Sequence, residues 1–267
     1  MTFTTTVTFP PNNEATSSYP LEAEEKGKMA DEAPAYSIVS RCAAEFFGLV
    51  VFVFVGTAQA LAGGGILNAA LAHGITIFIL IAAFGNLSGG HFNPAVTLGI
   101  AAVGRISPVH AVCYILSQLG GGFFGSLLAK LIMGDSFEKF GFGATIFAAN
   151  VAWYQGLLAE LFATFMLVQT VLMTAVDTGS NQLAPLAIGF TVAADILAIG
   201  TLTGASMNPG RSFGPQIVGA LFHSSAIRPT NRYWALHWVY YLGPFGGAIL
   251  AAVIYKVFYS RENRILK

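Results

Sequence analysis

The sequence predicts an all-α membrane protein, with six transmembrane helices and two re-entrant half-helices arranged as two inverted repeats. Three observations favour this fold: a low charge content, long apolar runs, and paired motifs at one spacing. Of the 267 residues, 55% are apolar and 10% are charged, which is too few charges to cover a soluble protein of this size. The segment from Phe46 to Gly104 contains no Lys, Arg, Asp or Glu. We therefore expect a lipid bilayer to surround most of the chain.

The paired motifs predict an internal repeat. Glu45 and Glu160 lie 115 residues apart (160 − 45), each at the start of an apolar run. Two polar triplets share this spacing (208 − 93 = 115), and they are Asn93-Pro94-Ala95 and Asn208-Pro209-Gly210. A buried acid and an Asn-Pro turn that recur at one offset indicate two copies of one membrane unit.

The apolar runs define the spans. The predicted transmembrane helices cover residues 39–62, 69–87, 108–131, 152–176, 184–200 and 233–257. Segments 94–103 and 209–219 are too short to cross the bilayer and are predicted to be re-entrant. Each repeat, at about 38–131 and about 152–258, has an odd number of crossings. The second copy must therefore insert upside down relative to the first.

The polar ends of the chain and the basic residues predict its orientation. Residues 1–35 are rich in Thr, Pro and Glu and are expected to be a disordered cytoplasmic tail before a membrane domain at 36–258; 259–267 form a second cytoplasmic tail. Eight basic residues fall on the side of the termini, namely Lys26, Lys28, Arg41, Arg105, Lys256, Arg261, Arg264 and Lys267. Five fall on the other side, namely Lys130, Lys139, Arg211, Arg228 and Arg232. This bias favours cytoplasmic termini.

The Asn-Pro pairs predict the starts of the half-helices. Asn is a favoured N-cap residue and Pro is favoured at the first helical position. If the two starts meet at the middle of the bilayer, their positive dipole ends oppose cations. The amides of Asn93 and Asn208 would then donate hydrogen bonds to the oxygen of a passing neutral molecule, and the carbonyls of 89–92 and 204–207 would line the lumen.

Two longer motifs carry a resemblance to a known family. Ser-Gly-Gly-His-Phe-Asn-Pro-Ala-Val-Thr at 88–97 and Gly-Ala-Ser-Met-Asn-Pro-Gly-Arg-Ser-Phe-Gly-Pro at 204–215 closely resemble the two signature loops of the aquaporin (major intrinsic protein) family. The resemblance covers about 38–258. It implies the aquaporin-like right-handed bundle, one pore in each subunit and a homotetramer. Gly210 stands where the family usually has Ala, so we expect a slightly looser second half-helix.

The resemblance also implies a selectivity filter toward the extracellular mouth. Counting from the two motif asparagines (93 − 20, 208 − 12, 208 − 3 and 208 + 3) gives the filter residues His73, Ile196, Ala205 and Arg211. A His on the second span and an aliphatic residue on the fifth resemble plant vacuolar-membrane aquaporins and the ammonia-permeating animal aquaporins. We therefore expect a water-type channel that also passes ammonia or hydrogen peroxide.

Three acids lie within the predicted spans, where charge is costly and functional by default. The family parallel implies that Glu45 and Glu160 brace the half-helices by accepting backbone hydrogen bonds, with proton relay as the alternative. The role of Asp195 stays open: it faces a neighbouring subunit, caps the mouth or tunes the filter.

The predicted function is a passive channel for water and small neutral solutes that excludes protons and ions. The alternative is a coupled secondary transporter, which also uses inverted repeats and broken helices. No clustered catalytic residues support an enzyme, and the two cysteines, Cys42 and Cys113, do not support a metal site. No cofactor is expected, and the zero net charge argues against a nucleic-acid partner. The default location is the cell membrane, with an intracellular membrane as the alternative.

Overall fold

The structure is a computed structural model that describes residues 36–178, 181–223, 231–261 and 265. The predicted tail at 1–35 lies outside these residues, as do 262–264, 266 and 267 of the second predicted tail. The described residues form helices, turns and loops without a strand. Their α-helices are α1 Ile38–Ala58, α2 Gly65–Ser88, α3 Pro94–Ala102, α4 Pro108–Met133, α5 Ser136–Lys139, α6 Trp153–Val171, α7 Ala184–Thr203, α8 Pro209–Phe222, α9 Asn231–Ala235 and α10 Val239–Ile254.

Six helical segments of the described chain are long and apolar enough to cross a membrane, which confirms the predicted number of spans. Four of them contain α1, α2, α4 and α7. The other two contain α6 and α10, which are continued by π-helical turns at Leu172–Val176 and Tyr255–Tyr259, and a 3₁₀ turn at Gln59–Ala62 likewise continues α1. The short helices α3 and α8 occupy the places predicted for the re-entrant segments.

Some predicted boundaries differ from the structure. The second span begins at Gly65 rather than 69, because the helix accommodates the polar side chain of Asn68. The Nδ2 atom of Asn68 donates to the Gln59 carbonyl at 2.8 Å. The fifth span continues to Thr203, where Gly204 ends the helix with a φ of 83°. The half-helix α8 continues to Phe222, three residues beyond the predicted end at 219. The backbone becomes extended at His223.

Glycines allow the membrane helices to approach closely. A Cβ on Gly74 of α2 would lie 2.7 Å from the carbonyl oxygen of Gly189 on α7, and a Cβ on Gly189 would lie 2.6 Å from that of Gly74. On α4, a Cβ on Gly125 would lie 2.5 Å from the Val50 carbonyl oxygen of α1. Small residues at such contacts are typical of helix packing in membranes, where dispersion rather than the hydrophobic effect holds helices together.

The packing follows the internal repeat. α1 packs against α4 and α6 packs against α10, so the two copies build equivalent pairs, while α2 packs against its own counterpart α7. The outer faces of these helices carry exposed apolar side chains, such as Val39 with 75% of its surface exposed and Leu131 with 73%. Such faces suit contact with lipid tails. The half-helices α3 and α8 lie inside this ring of helices and are buried over most of their length.

Candidate pore and selectivity site

The two half-helices begin as the sequence predicted. Asn93 is the N-cap of α3, and its Oδ1 accepts a hydrogen bond from the Ala95 N–H at 2.8 Å. Asn208 is the N-cap of α8, and its Oδ1 accepts from the N–H groups of Gly210 at 3.0 Å and Arg211 at 3.1 Å. Pro94 and Pro209 occupy the first helical positions, where a missing N–H costs nothing.

The two asparagines bond across the repeats. Asn93 Nδ2 donates to the carbonyl of Met207 at 2.8 Å, and Asn208 Nδ2 donates to the carbonyl of Phe92 at 2.9 Å. The half-helices therefore meet N-terminus to N-terminus. An amide nitrogen carries two hydrogens, so each Asn keeps one N–H beyond the crosswise bond. Both asparagines lie on the wall of a cavity, where this second donor can meet a solute.

The segments before the caps have a strained backbone that repeats between the copies. Phe92 and Met207, which are 115 residues apart (207 − 92), have φ angles of 45° and 51°. Two residues earlier in each copy, Gly90 has a φ of 64° and Ala205 a φ of 47°. A positive φ at a residue with a Cβ costs on the order of 1–2 kcal/mol. The strain persists because other groups hold these segments.

In the first repeat, the holding group is Glu45. Its fully buried carboxylate accepts four hydrogen bonds. Oε1 accepts from Ser88 Oγ at 2.6 Å and from the His91 N–H at 3.0 Å, and Oε2 accepts from the Phe92 N–H at 2.6 Å and Gln118 Nε2 at 2.8 Å. This set of donors compensates the buried charge and fixes the backbone that leads into Asn93.

In the second repeat, Glu160 makes the equivalent contacts. Its fully buried carboxylate accepts from Thr203 Oγ1 at 2.6 Å, the Ser206 N–H at 2.9 Å and the Met207 N–H at 2.8 Å. The two backbone donors, at 206 and 207, correspond to those at 91 and 92 in the first repeat. The geometry is that of a brace in both copies.

Several residues that support these segments were missed from the sequence. Tyr114 Oη donates to the Ser88 carbonyl at 2.7 Å, and Tyr240 Oη donates to the Thr203 carbonyl at 2.6 Å. These tyrosines are equivalent but lie 126 residues apart (240 − 114), because the connections before α4 and α10 differ in length. A search at the offset of 115 could not pair them. An alignment of the two repeats that allows a gap could have done so.

The two repeats differ in the side chains that surround the bracing residues Glu45 and Glu160. In the first, Gln118 joins Glu45 to Thr97, donating to Thr97 Oγ1 at 2.9 Å. The residue four positions after the second tyrosine is Pro244, which has no side-chain donor. The second repeat instead uses Ser212, whose hydroxyl shares hydrogen bonds of 2.6 Å with Ser206 Oγ and with Thr145 Oγ1. Thr145 lies in the connection before α6, so this support comes from outside the repeated unit.

A cavity of about 290 Å³ leads to the paired asparagines. Most of its wall is apolar and includes Ile77 on α2 and Val192 on α7, which are equivalent in the two repeats (192 − 77 = 115). Arg105 also lines the cavity, as do Ala175 and Val176 in the π-helical turn that continues α6. An apolar path that ends at a few fixed donors binds small solutes weakly, and weak binding allows rapid passage.

The four expected filter residues are buried. His73 on α2 is 5% exposed, Ile196 on α7 is 3%, Ala205 is 3%, and Arg211 in the first turn of α8 is 8%. His73 and Ile196 lie one turn beyond Ile77 and Val192 along their helices. Among the described residues, the lining of the cavity includes none of the four. The guanidinium of Arg211 is close enough to the His73 ring for an electrostatic interaction.

Backbone carbonyls orient His73 and Arg211, the two polar residues that are expected in the filter. Arg211 Nη1 donates to the Gly143 carbonyl at 2.7 Å, which ties α8 to the segment between α5 and α6. His73 Nδ1 bonds the Ala69 carbonyl at 2.8 Å. Because a carbonyl oxygen only accepts, Nδ1 carries the proton of this bond. The ring also packs edge-on against Phe52, with the ring centres 5.3 Å apart.

Gly210, where the family usually has Ala, and Gln216 of the same half-helix are tightly surrounded. A Cβ on Gly210 would lie 2.6 Å from Leu49 Cδ2, so the space behind the Asn208 cap is filled by Leu49. Gln216 is fully buried, and its Nε2 donates to the Tyr233 carbonyl.

Six spans, two half-helices that meet head to head and a cavity that ends at their caps form the architecture of a passive transmembrane channel. The chain matches the profile of the Major intrinsic protein family over residues 32–255. It is 42% identical over 234 residues to probable aquaporin TIP1-2 of Oryza sativa subsp. japonica, covering 82% of this chain and 86% of that protein. It is 35% identical over 255 residues to aquaporin-8 of Rattus norvegicus, covering 90% and 92%.

The chain therefore belongs to the major intrinsic protein, or aquaporin, family, and it is a multi-pass membrane channel for water and small solutes. A solved structure, that of the aquaglyceroporin from Plasmodium falciparum, has the same fold. Its TM-score is 0.71 at 23% identity, with 82% of this chain and 96% of that chain covered. The predicted family and fold are thus confirmed.

Proposed function

We propose that the channel conducts water together with ammonia and hydrogen peroxide, and that it excludes protons and ions. The single observation that supports this proposal best is the crosswise bonding of Asn93 and Asn208 to the carbonyls of Met207 and Phe92. This bonding fixes two amide donors at the point where two helix N-termini meet. A water molecule there accepts both donors through its oxygen.

Two fields act against cations along this path. The N-termini of α3 and α8 each present a partial positive charge of about half an elementary unit. Arg211 adds a full positive charge beyond them. A neutral solute is unaffected by this potential, whereas a cation or a hydrated proton is repelled.

We assign the selectivity filter to His73, Ile196, Ala205 and Arg211. Their burial, and the closeness of His73 to Arg211, support a narrow site with two polar and two apolar walls. The side chains of Ile196 and Ala205 can form no hydrogen bonds, so a solute that passes must bond to the remaining walls and to its water neighbours. The relatives named aquaporin-8 and TIP1-2 support a water-type pore.

We also propose the assembly and placement of the protein. The channel domain spans about 36–258, four copies form a homotetramer with one pore each, and both termini face the cytoplasm. The bias of basic residues toward the terminal side supports this orientation. The cell membrane is the default address, and a vacuolar membrane is the alternative that the filter pattern supports.

The test is stopped-flow light scattering on purified protein in liposomes, under water and ammonia gradients. Wild type is expected to raise water permeability with a low activation energy. His73→Phe should lower the ammonia flux relative to the water flux. Arg211→Ala should raise the proton leak by on the order of tenfold, because it removes a full charge from the pore. Wild-type liposomes that pass water no faster than empty ones would contradict the proposal.

A further inference from the structure

Asp195 is a buried acid that the pore described above does not use. It lies on α7, is 3% exposed, and its Oδ2 is buried without a hydrogen-bond partner among the described residues. A buried carboxylate oxygen without a donor is costly, and such groups concentrate where a ligand or a function requires them. Glu45 and Glu160, by contrast, receive four and three protein donors.

The position of Asp195 along α7 indicates that it lies beside the pore. Ile188 and Val192 of α7 line the cavity. Asp195 follows them by seven and three residues, so it lies on the same face of the helix, one turn farther along the path. Its neighbour in the chain is Ile196, which we assigned to the filter. The carboxylate therefore lies beside the path, at the level of the filter.

The surroundings of Asp195 leave its oxygen free to accept a bond from a solute. Glu160 is close enough to Asp195 for an electrostatic interaction. Glu160 accepts three hydrogen bonds from other protein groups, and Asp195 Oδ2 receives none from it. Arg211, whose charge acts on Glu160, spends one N–H on the Gly143 carbonyl.

The hydrogen-bond inventory of the pore indicates which solute would use this acceptor. Asn93, Asn208 and Arg211 supply donors, which suit the oxygen of water or the lone pair of ammonia. Ammonia carries three N–H donors and one lone pair, so it needs acceptors more than water does. A free carboxylate oxygen beside two apolar filter walls supplies that acceptor.

Comparison of the two repeats separates this role from a structural one. The position equivalent to Asp195 in the first repeat is Leu80 (195 − 115), which is buried with 4% of its surface exposed. The shared architecture thus accommodates an apolar side chain of similar size at this place. The acid is an addition in the second repeat, on the side of the filter.

We propose that Asp195 is a specificity-determining residue of the pore, and that its free carboxylate oxygen accepts a hydrogen bond from a small solute rich in N–H donors, ammonia in particular. The inference rests on the proposed function, because a solute meets Asp195 only if the filter lies at His73 and Ile196. It goes beyond that function by naming a further polar group, which sets the ratio of ammonia permeability to water permeability.

The test compares wild type with Asp195→Leu and Asp195→Asn in liposomes of one lipid composition. The measured quantity is the ratio of ammonia permeability to water permeability. A hydrogen bond to a buried acceptor is worth up to about tenfold, so Asp195→Leu should lower the ratio by up to about tenfold. Asp195→Asn keeps one oxygen acceptor but has an amide nitrogen in place of the other oxygen, and it should lower the ratio about threefold.

Thr191→Val is the matched control. Thr191 is on the same helix, one turn away, and its hydroxyl already donates to the Ala187 carbonyl at 2.9 Å, so the variant should keep the wild-type ratio. An unchanged ratio in both Asp195 variants, including a parallel loss of both fluxes, would overturn the inference while the channel itself stands. Wild type that passes water but no ammonia would also overturn it. Wild type without water flux would instead refute the proposed function. If Asp195→Leu fails to fold, the isosteric Asp195→Asn decides.

Discussion

At the scale of single residues, two carboxylates determine the shape of the pore centre. Phe92 and Met207 adopt a conformation that their side chains disfavour. Each is held because its N–H donates to a buried Glu, at 2.6 Å in the first repeat and 2.8 Å in the second. The same acid also holds the residue before it. The hydrogen bonds to each buried carboxylate thus fix the backbone conformation. The direction of both Asn amides depends on that conformation.

Glu45→Gln and Glu160→Gln should each destabilise the protein by about 2 kcal/mol. An amide keeps one acceptor oxygen and replaces the other with a donor, so at least one backbone N–H faces a group that cannot accept. The measurement is thermal unfolding in detergent. Size-exclusion chromatography after heating gives the amount of protein that remains folded. A Gln variant with wild-type stability and wild-type water flux would show that the braces are dispensable.

At the scale of helices, close contacts decide which pairs form. α2 and α7 meet through Gly74 and Gly189, where each backbone occupies the space that the other's Cβ would need. The half-helices are too short to be stable alone in water. Their stability comes from burial within the ring of spans and from the caps at Asn93 and Asn208.

Gly74→Ala should destabilise the protein by about 1–3 kcal/mol, because its Cβ would lie 2.7 Å from a backbone oxygen that cannot rotate away. Gly85→Ala is the matched control on the same helix. A Cβ there would be 3.7 Å from its nearest neighbour, Ile81 Cγ2, so this variant should be neutral or stabilising. Thermal unfolding of both in one detergent checks the difference. Equal stability of the two variants would mean that α2 and α7 can separate without cost.

At the scale of the whole molecule, the outer surface of the chain suits contact with lipid, and the inside suits contact with a solute. Large apolar side chains remain exposed on the outer faces, while the polar groups concentrate around the two half-helices. Part of the exposed apolar surface is available for contacts between copies as well as with lipid.

The proposed homotetramer can be tested by native mass spectrometry of the detergent-solubilised protein. We expect the dominant species to contain four copies, because the family resemblance implies this assembly. Chemical cross-linking in liposomes is the control against dissociation by detergent. A protein that remains a monomer in both measurements while conducting water would contradict the tetramer.

Much of the fold was predictable from the sequence, because its signals are local or repeat at one spacing. Six spans follow from apolar length, and Asn93 and Asn208 cap half-helices because Asn-Pro favours a helix start. Glu45 and Glu160 were singled out because they share the offset of 115. The physical cause in each case lies within a few residues or within one repeated unit.

The rest depends on contacts that no spacing in the sequence encodes. Tyr114 and Tyr240 are equivalent, but connections of different length move them out of phase. Thr145 supports Ser212 from a loop outside the repeat. The crosswise bonds of the asparagines also could not be read from either motif, because each acceptor is a backbone carbonyl of the other copy.

The crosswise bonds have a consequence for biogenesis. During synthesis the first half of the chain emerges with the Asn93 amide and the Phe92 carbonyl lacking their final partners, Met207 and Asn208, which are made 114 and 116 residues later (207 − 93 and 208 − 92). Neither half can complete a conducting path by itself. If the gene were divided in the connection between α4 and α6, each fragment would insert as an inactive piece, and permeability would return only when both fragments were expressed together and joined in the membrane.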